Sequence, residues 1–159
     1  MNDLAKCVVI LSLCAGGWLY KDFRGSGERK VDSGAAQGLV MIQGTAPKPG
    51  MPVILEFWGT YCGPCIASIP HLTELHEKFG SRVQFVAVSG EDTGTVKAFM
   101  ANHRMAYPVA VDPSHEFFGA WKVKGIPDLV VLDGNQKQLW RGHSAALTSA
   151  KLASLLGEL

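Results

Sequence analysis

The strongest constraint on the fold is a continuous apolar run, Val53-Ile54-Leu55-Glu56-Phe57-Trp58, that breaks at Gly59 and delivers Cys62 and Cys65 to the start of a helical pattern. A run of apolar residues without polar alternation predicts a central strand covered on both faces. From Cys62 to about Phe79, the residues Ile66, Ile69, Leu72, Leu75 and Phe79 recur at a spacing of three to four, which predicts a helix. Two cysteines three apart share one face of a helical turn. Their sulfurs can bond to each other without the chain folding back.

That placement sets the chemistry. The thiolate, not the thiol, is the nucleophile. Free backbone N–H groups and the dipole at a helix N-terminus favour an anion. Cys62 should therefore be the more exposed, attacking sulfur. Cys65, one turn in, should be more buried and suited to resolving a mixed disulfide. Pro64 fits the first turn, where its missing N–H is no loss. A zinc site is the alternative reading of Cys-X-X-Cys, but no second such pair follows. His71 and His76 would point about 140° apart on the helix. The five histidines, His71, His76, His103, His115 and His143, form no spacing that reads as a site.

The chain of 159 residues is long enough for one domain with its own core. A hydrophobic fraction of 47% with 18% charged residues argues against disorder, and a formal net charge of +1 gives no basis for nucleic-acid binding. Strand patterns cover Gly38–Gln43, Val53–Trp58, Val83–Ser89, Tyr107–Val111 and Asp128–Asp133. Gly134-Asn135 turns the chain so that Lys137–Arg141 pairs back as a hairpin. Helical patterns follow Cys62, Thr95 and the Asp112-Pro113 cap, and Thr148 caps a last helix with Leu147 and Leu152 placed as a hydrophobic staple. Alternation with short connections predicts an α/β fold with a mostly parallel sheet and an antiparallel C-terminal hairpin.

Three segments precede or make up this fold. Residues 1–20 carry Lys6 and then an apolar stretch containing Cys7 and Cys14, which reads as an export signal or a short membrane anchor. Residues 21–37 are polar and Gly/Ser-rich, a flexible linker. Residues 38–159 are the folded domain.

Trp58 to Cys65, with Gly-Pro between the cysteines, resembles the active-site segment of the thioredoxin superfamily. The helix–strand insertion at about 92–111, Pro70 in the active-site helix, Lys124-Gly-Ile-Pro127 before an apolar strand, and the N-terminal segment resemble the exported TlpA/ResA-like branch. The resemblance implies a thioredoxin-like three-layer fold and thiol–disulfide exchange with proteins, without a cofactor or metal. It implies that Pro127 is cis and faces the cysteines, exposing the Ile126 backbone to a substrate segment; the plainer alternative is a proline that opens a strand. Tyr61 stands where the family usually has Trp and would offer an aromatic docking surface. Glu56 aligns with the family's buried acid and would relay the proton of Cys65. A carboxylate in a doubly covered strand is otherwise costly unless neutral, paired or hydrated, or the strand bends and it reaches solvent.

The same resemblance implies a bacterial periplasmic location at the inner membrane and a membrane electron donor of the DsbD type. The Gly-Pro dipeptide resembles reducing members, with a disulfide oxidase or isomerase as the alternative direction. Two positions depart from the branch. Ser68 replaces a usual Glu, which weakens a role in haem maturation. Asp128 replaces the usual Thr after the cis-proline, and a carboxylate near the sulfurs would oppose a thiolate. A copper(I)-handling module is a further class, since two thiolates suit that ion, although related copper carriers resemble a CxxxC spacing. Peroxiredoxins resemble Pro-x-x-x-Thr-x-x-Cys, and Thr60 is one residue too close to Cys62 for that pattern.

Overall fold

A computed structural model of the chain describes residues 38–157. The expected signal or anchor and the expected linker lie outside the described residues. The elements in chain order are β1 (Val40–Gln43), β2 (Val53–Trp58), α1 (Gly63–Phe79), β3 (Gln84–Ser89), α2 (Thr93–Met100), β4 (Val109–Val111), α3 (Glu116–Ala120), β5 (Asp128–Leu132), β6 (Gln138–Gly142), a 3-10 turn (Ser144–Ala146) and α4 (Ser149–Leu155).

The six strands form one sheet in the order β1-β4-β3-β2-β5-β6. The central strands β4, β3 and β2 run parallel, as helix crossovers require. Antiparallel pairing reaches further than the hairpin alone. β5 runs antiparallel to β2, and β1 runs antiparallel to β4. The sheet is therefore mixed rather than mostly parallel. The segment after α3 enters the sheet from the end opposite to β2, so the hairpin partner of β6 is itself reversed.

Alternation along β2 divides the core. Ile54 and Trp58 join Cys65, Leu72, Leu75 and Phe79 of α1 and Leu152 of α4 on one face. Val53, Leu55 and Phe57 meet Phe117 and Trp121 on the other. The result is three layers: α1, α2 and α4 against one face of the sheet and α3 against the other. All six residues of β2 are buried, which explains the unbroken apolar run.

Two helix starts differ in how they are made. Thr148 accepts a hydrogen bond from the Lys151 N–H (3.2 Å), the cap that the sequence predicts. Leu147 and Leu152 are both fully buried in the same cluster. Replacing Thr148 with Ala should lower stability by about 1 kcal/mol, read from the midpoint of urea unfolding. Asp112, in contrast, does not cap α3 directly. His115 occupies the cap position in the left-handed region (φ 57°), and Asp112 reaches in from outside to accept the Phe118 N–H at 2.9 Å. The helix itself runs from Glu116 to Ala120.

Candidate redox site

β2 ends beside the start of α1, and the connection is four residues long, Gly59-Thr60-Tyr61-Cys62. Trp58 is buried and packs on Phe99 of α2, ring centroids 5.4 Å apart, so it supports the site from below. Gly59 is required by close approach: a Cβ there would lie 2.9 Å from the Tyr61 ring and 3.2 Å from Ile126 Cδ1. The Cys62 N–H donates to the Gly59 carbonyl at 3.1 Å and closes the turn.

Cys62 and Cys65 are joined in a disulfide with Cα atoms 5.2 Å apart. Cys62 is the N-cap of α1, and its sulfur accepts the Cys65 N–H at 3.2 Å. The same N–H would stabilise a Cys62 thiolate after reduction. Cys62 is 7% exposed and Cys65 1%, so an incoming group reaches Cys62 first. Around it, Gly63 and Pro64 are exposed, and Tyr61 is exposed to 77%.

The Ile126–Pro127 peptide bond is cis. Asp128 pairs with Phe57, so Pro127 falls level with the end of β2, and Ile126 lies against Gly59. The sequence-predicted residues Tyr61, Cys62, Ile126 and Pro127 are therefore gathered at one end of the sheet.

Glu56 lies on the same sheet face as Ile54 and Trp58, the face that α1 covers, and it is 3% exposed. β2 does not bend to carry it to solvent. The Ser144 hydroxyl donates to Glu56 Oε1 at 3.3 Å. Tyr107 Oη approaches the same carboxyl but falls short of hydrogen-bond geometry with any protein group. The gap lined by Glu56, Leu72, Phe85 and Tyr107 is too narrow to seat a water molecule. Burial raises the Glu56 pKa to about 8, offset in part by the Ser144 hydroxyl and less by Tyr107. Burial next to this acid also pushes the Tyr107 phenol far up. A carboxyl of this kind can hold or release a proton near neutral pH.

Asp128 corrects an expectation. It does not confront the sulfurs with an uncompensated charge. Along β5 it shares a face with Val130 and Leu132, away from α1, and it forms an ion pair with Arg141 of β6. Arg141 Nε donates to both carboxylate oxygens, at 3.0 and 3.1 Å, and the pairing raises the guanidinium pKa further. Ser68 is buried and turns its hydroxyl back to the Pro64 carbonyl at 3.0 Å, a contact within α1.

Four of the histidines make structural contacts. His71 Nε2 donates to the Leu147 carbonyl (2.9 Å), and His143 Nδ1 accepts the Ala145 N–H (3.2 Å). His76 packs edge-on against Phe85, and His103 stacks on Phe99. Beside Pro64 runs an open groove lined by Ala67, Ser68, His71, His143 and Ala145. A more enclosed apolar pocket of about 300 Å³, lined by Leu39, Val53, Leu55, Phe117 and Trp121, sits across the sheet from the disulfide. The sulfurs thus face an open surface rather than a deep cavity.

Sequence reading missed Ser144, which holds Glu56 from 88 residues away, and Glu91, which holds Thr60 from 31 residues away. The first has no local signal. The second has one in the register: Trp58 pairs with Ser89 in parallel, so two residues further along each strand Thr60 and Glu91 come level.

A disulfide that an incoming thiolate can open at its outer sulfur and its inner partner can close again defines a class. The protein is a thiol–disulfide oxidoreductase of the thioredoxin-like fold. Its residues 44–138, more than half of the chain, match the AhpC/TSA family, and the chain belongs to that family. It is similar to the thiol-disulfide oxidoreductase ResA of Bacillus cereus, 28% identical over 144 residues that cover 84% of this chain and 83% of that protein. The ResA of Bacillus subtilis is 26% identical, over 82% of this chain and 78% of that protein. Among solved structures, a putative thiol:disulfide interchange protein DsbE from Chlorobium tepidum superposes with a TM-score of 0.63 at 31% identity, covering 68% of this chain and 82% of that chain.

Proposed function

We propose that the protein reduces disulfides in other proteins, in the periplasm of a bacterium. The observation that carries this reading is the placement of Cys62 as the outer sulfur and N-cap of α1, on an open surface beside exposed Tyr61. The Cys62 thiolate attacks one sulfur of a substrate disulfide. The substrate S–S bond breaks, a mixed disulfide forms, and one substrate thiolate leaves and takes up a proton. Cys65, deprotonated towards Glu56, then attacks the Cys62 sulfur. The mixed disulfide breaks, the second substrate thiol departs, and the protein is left as the Cys62–Cys65 disulfide. Two electrons have moved to the substrate, and a membrane donor of the DsbD type restores the dithiol. Tyr61, Ile126 and Pro127 form the docking edge for the substrate segment.

Residues 1–20 tether the domain to the inner membrane or direct its export, and residues 21–37 give it reach. Among the described residues, no helix is long and apolar enough to cross a membrane. The relatives are a thiol-disulfide oxidoreductase and a putative thiol:disulfide interchange protein, which supports exchange chemistry. The Thr60 hydroxyl is committed to Glu91, which gives no support to a peroxidase role for that residue.

The test is turnover of insulin disulfides with dithiothreitol as recycling reductant. The expected result is acceleration well above dithiothreitol alone. No acceleration, together with tight copper(I) binding by the reduced domain that Cys62→Ser abolishes, would favour the metal-handling class instead.

A further inference from the structure

Glu91 lies just beyond the C-terminal end of β3, half-buried, and its carboxylate is bonded to the turn that presents Cys62. Thr60 donates twice, from its N–H to Oε2 (2.7 Å) and from Oγ1 to Oε1 (2.6 Å). The Ser89 hydroxyl also donates to Oε2 at 2.9 Å and fixes the carboxylate from β3. Ser89 is fully buried, so the carboxylate has a rigid support. Short hydrogen bonds to a charged acceptor are the stronger kind. Thr60 is two residues before Cys62, and the Cys62 N–H bond to Gly59 folds the turn around it.

We propose that Glu91 is a positioning residue that clamps the Gly59–Cys62 turn and, by its negative charge, disfavours the Cys62 thiolate, so that the couple is more reducing. The proposal rests on the exchange reaction proposed above. The physical reason has two parts. The clamp fixes where Sγ of Cys62 emerges, which shortens the search for attack geometry. The charge acts against the helix N-terminus: a nearby anion raises the free energy of a thiolate. A couple whose reduced form is less stabilised is the better reductant, the converse of the way a stabilised reduced form makes a strong oxidant.

Other titratable groups surround Cys62. Tyr61 shares its turn, and Glu56 lies beneath on β2. His71 and His143 line the groove beside Pro64, and Asp128, paired with Arg141, faces the far side of the sheet. Glu91 is the one of these whose charged group is hydrogen-bonded to the turn.

The substitution Glu91→Gln isolates the charge, because the amide reproduces the contacts. Its oxygen can accept from the Thr60 N–H and the Ser89 hydroxyl, and its N–H₂ can donate to Thr60 Oγ1. The full chain and its variants are equilibrated with glutathione, and Cys62 alkylation is followed against pH. Glu91→Gln should unfold near the wild-type midpoint and oxidise three- to tenfold less favourably, which is a rise of about 15 to 30 mV. Its Cys62 pKa should fall with it. Glu91→Ala should show the same rise together with a loss of kcat/KM of about tenfold, since the clamp is gone as well. Thr60→Val, which keeps the charge, should keep the wild-type potential.

A wild-type potential and Cys62 pKa in Glu91→Gln overturn the proposal. So does a rise in Thr60→Val as large as that in Glu91→Gln. A wild-type protein with no reversible couple at all is a different failure, that of the exchange reading itself.

Discussion

Replacing Cys62 with Ser reduces insulin turnover to the rate of dithiothreitol alone, whereas replacing Cys65 with Ser leaves a protein that attacks once and stalls. The difference follows from the two positions. Cys62 is the outer sulfur and caps α1, so its loss removes the nucleophile. Cys65 is buried one turn below, and without it the mixed disulfide on Cys62 has no internal thiolate to displace it. The Cys65→Ser variant should therefore accumulate a covalent adduct with a disulfide-containing protein, seen as a mass increase that excess dithiothreitol reverses. Both variants should remain folded, because the core on either side of the sheet does not depend on the bond. If Cys65→Ser gave no adduct and Cys62→Ser did, the roles would be exchanged.

Glu56→Gln produces the second large effect, with opposite signs for stability and activity. Glu56 has a pKa of about 8 when folded against 4.5 for an ordinary carboxyl. Between those values the unfolded chain holds fewer protons than the folded one, so stability falls as pH rises. The loss begins near the unfolded pKa and is complete above the folded one. At about 1.4 kcal/mol for each pH unit of the interval, it reaches several kcal/mol. Gln keeps a hydrogen-bond acceptor for Ser144 and removes the ionisation. The variant should be more stable by about 4 kcal/mol at pH 8 and near wild type at pH 4, read by urea unfolding at both pH values. If Glu56 relays the proton of Cys65, insulin turnover should fall by about a hundredfold, and the inflection near the Glu56 pKa should vanish from the pH profile. Unchanged turnover with the expected gain in stability would leave Glu56 a buried cost without a role in the reaction.

How much of this was legible in the sequence follows from the range of each interaction. The Cys62–Cys65 pair and its helix are local: two residues three apart, an N-cap and an apolar stripe lie in one window. β2 was legible because both of its faces are covered and its pattern never alternates. The reversal of β5 was not, because a short apolar run reads the same in either direction and its partner is chosen by the path of the chain after α3. The burial of Glu56 was legible from its strand, but its support by Ser144 was not. Asp128 was read as a threat to the thiolate because its alternation along β5 and its pairing with Arg141, thirteen residues away, appear only when the hairpin closes. Glu91 escaped notice for the same reason: a carboxylate after a strand is common, and only the parallel register of β2 and β3 brings it level with Thr60.

The most direct measurement is the reduction potential of the Cys62–Cys65 couple, in a fragment that begins after Tyr20 and is equilibrated against thiol–disulfide buffers. A fully reversible two-electron couple near or below about −270 mV, the value of thioredoxin, is the predicted result and fits a reductase fed by a membrane donor. A couple near about −120 mV, the value of a strong oxidant, would contradict the reducing direction and make the protein a disulfide oxidase or isomerase. No reversible couple would contradict the exchange chemistry as a whole.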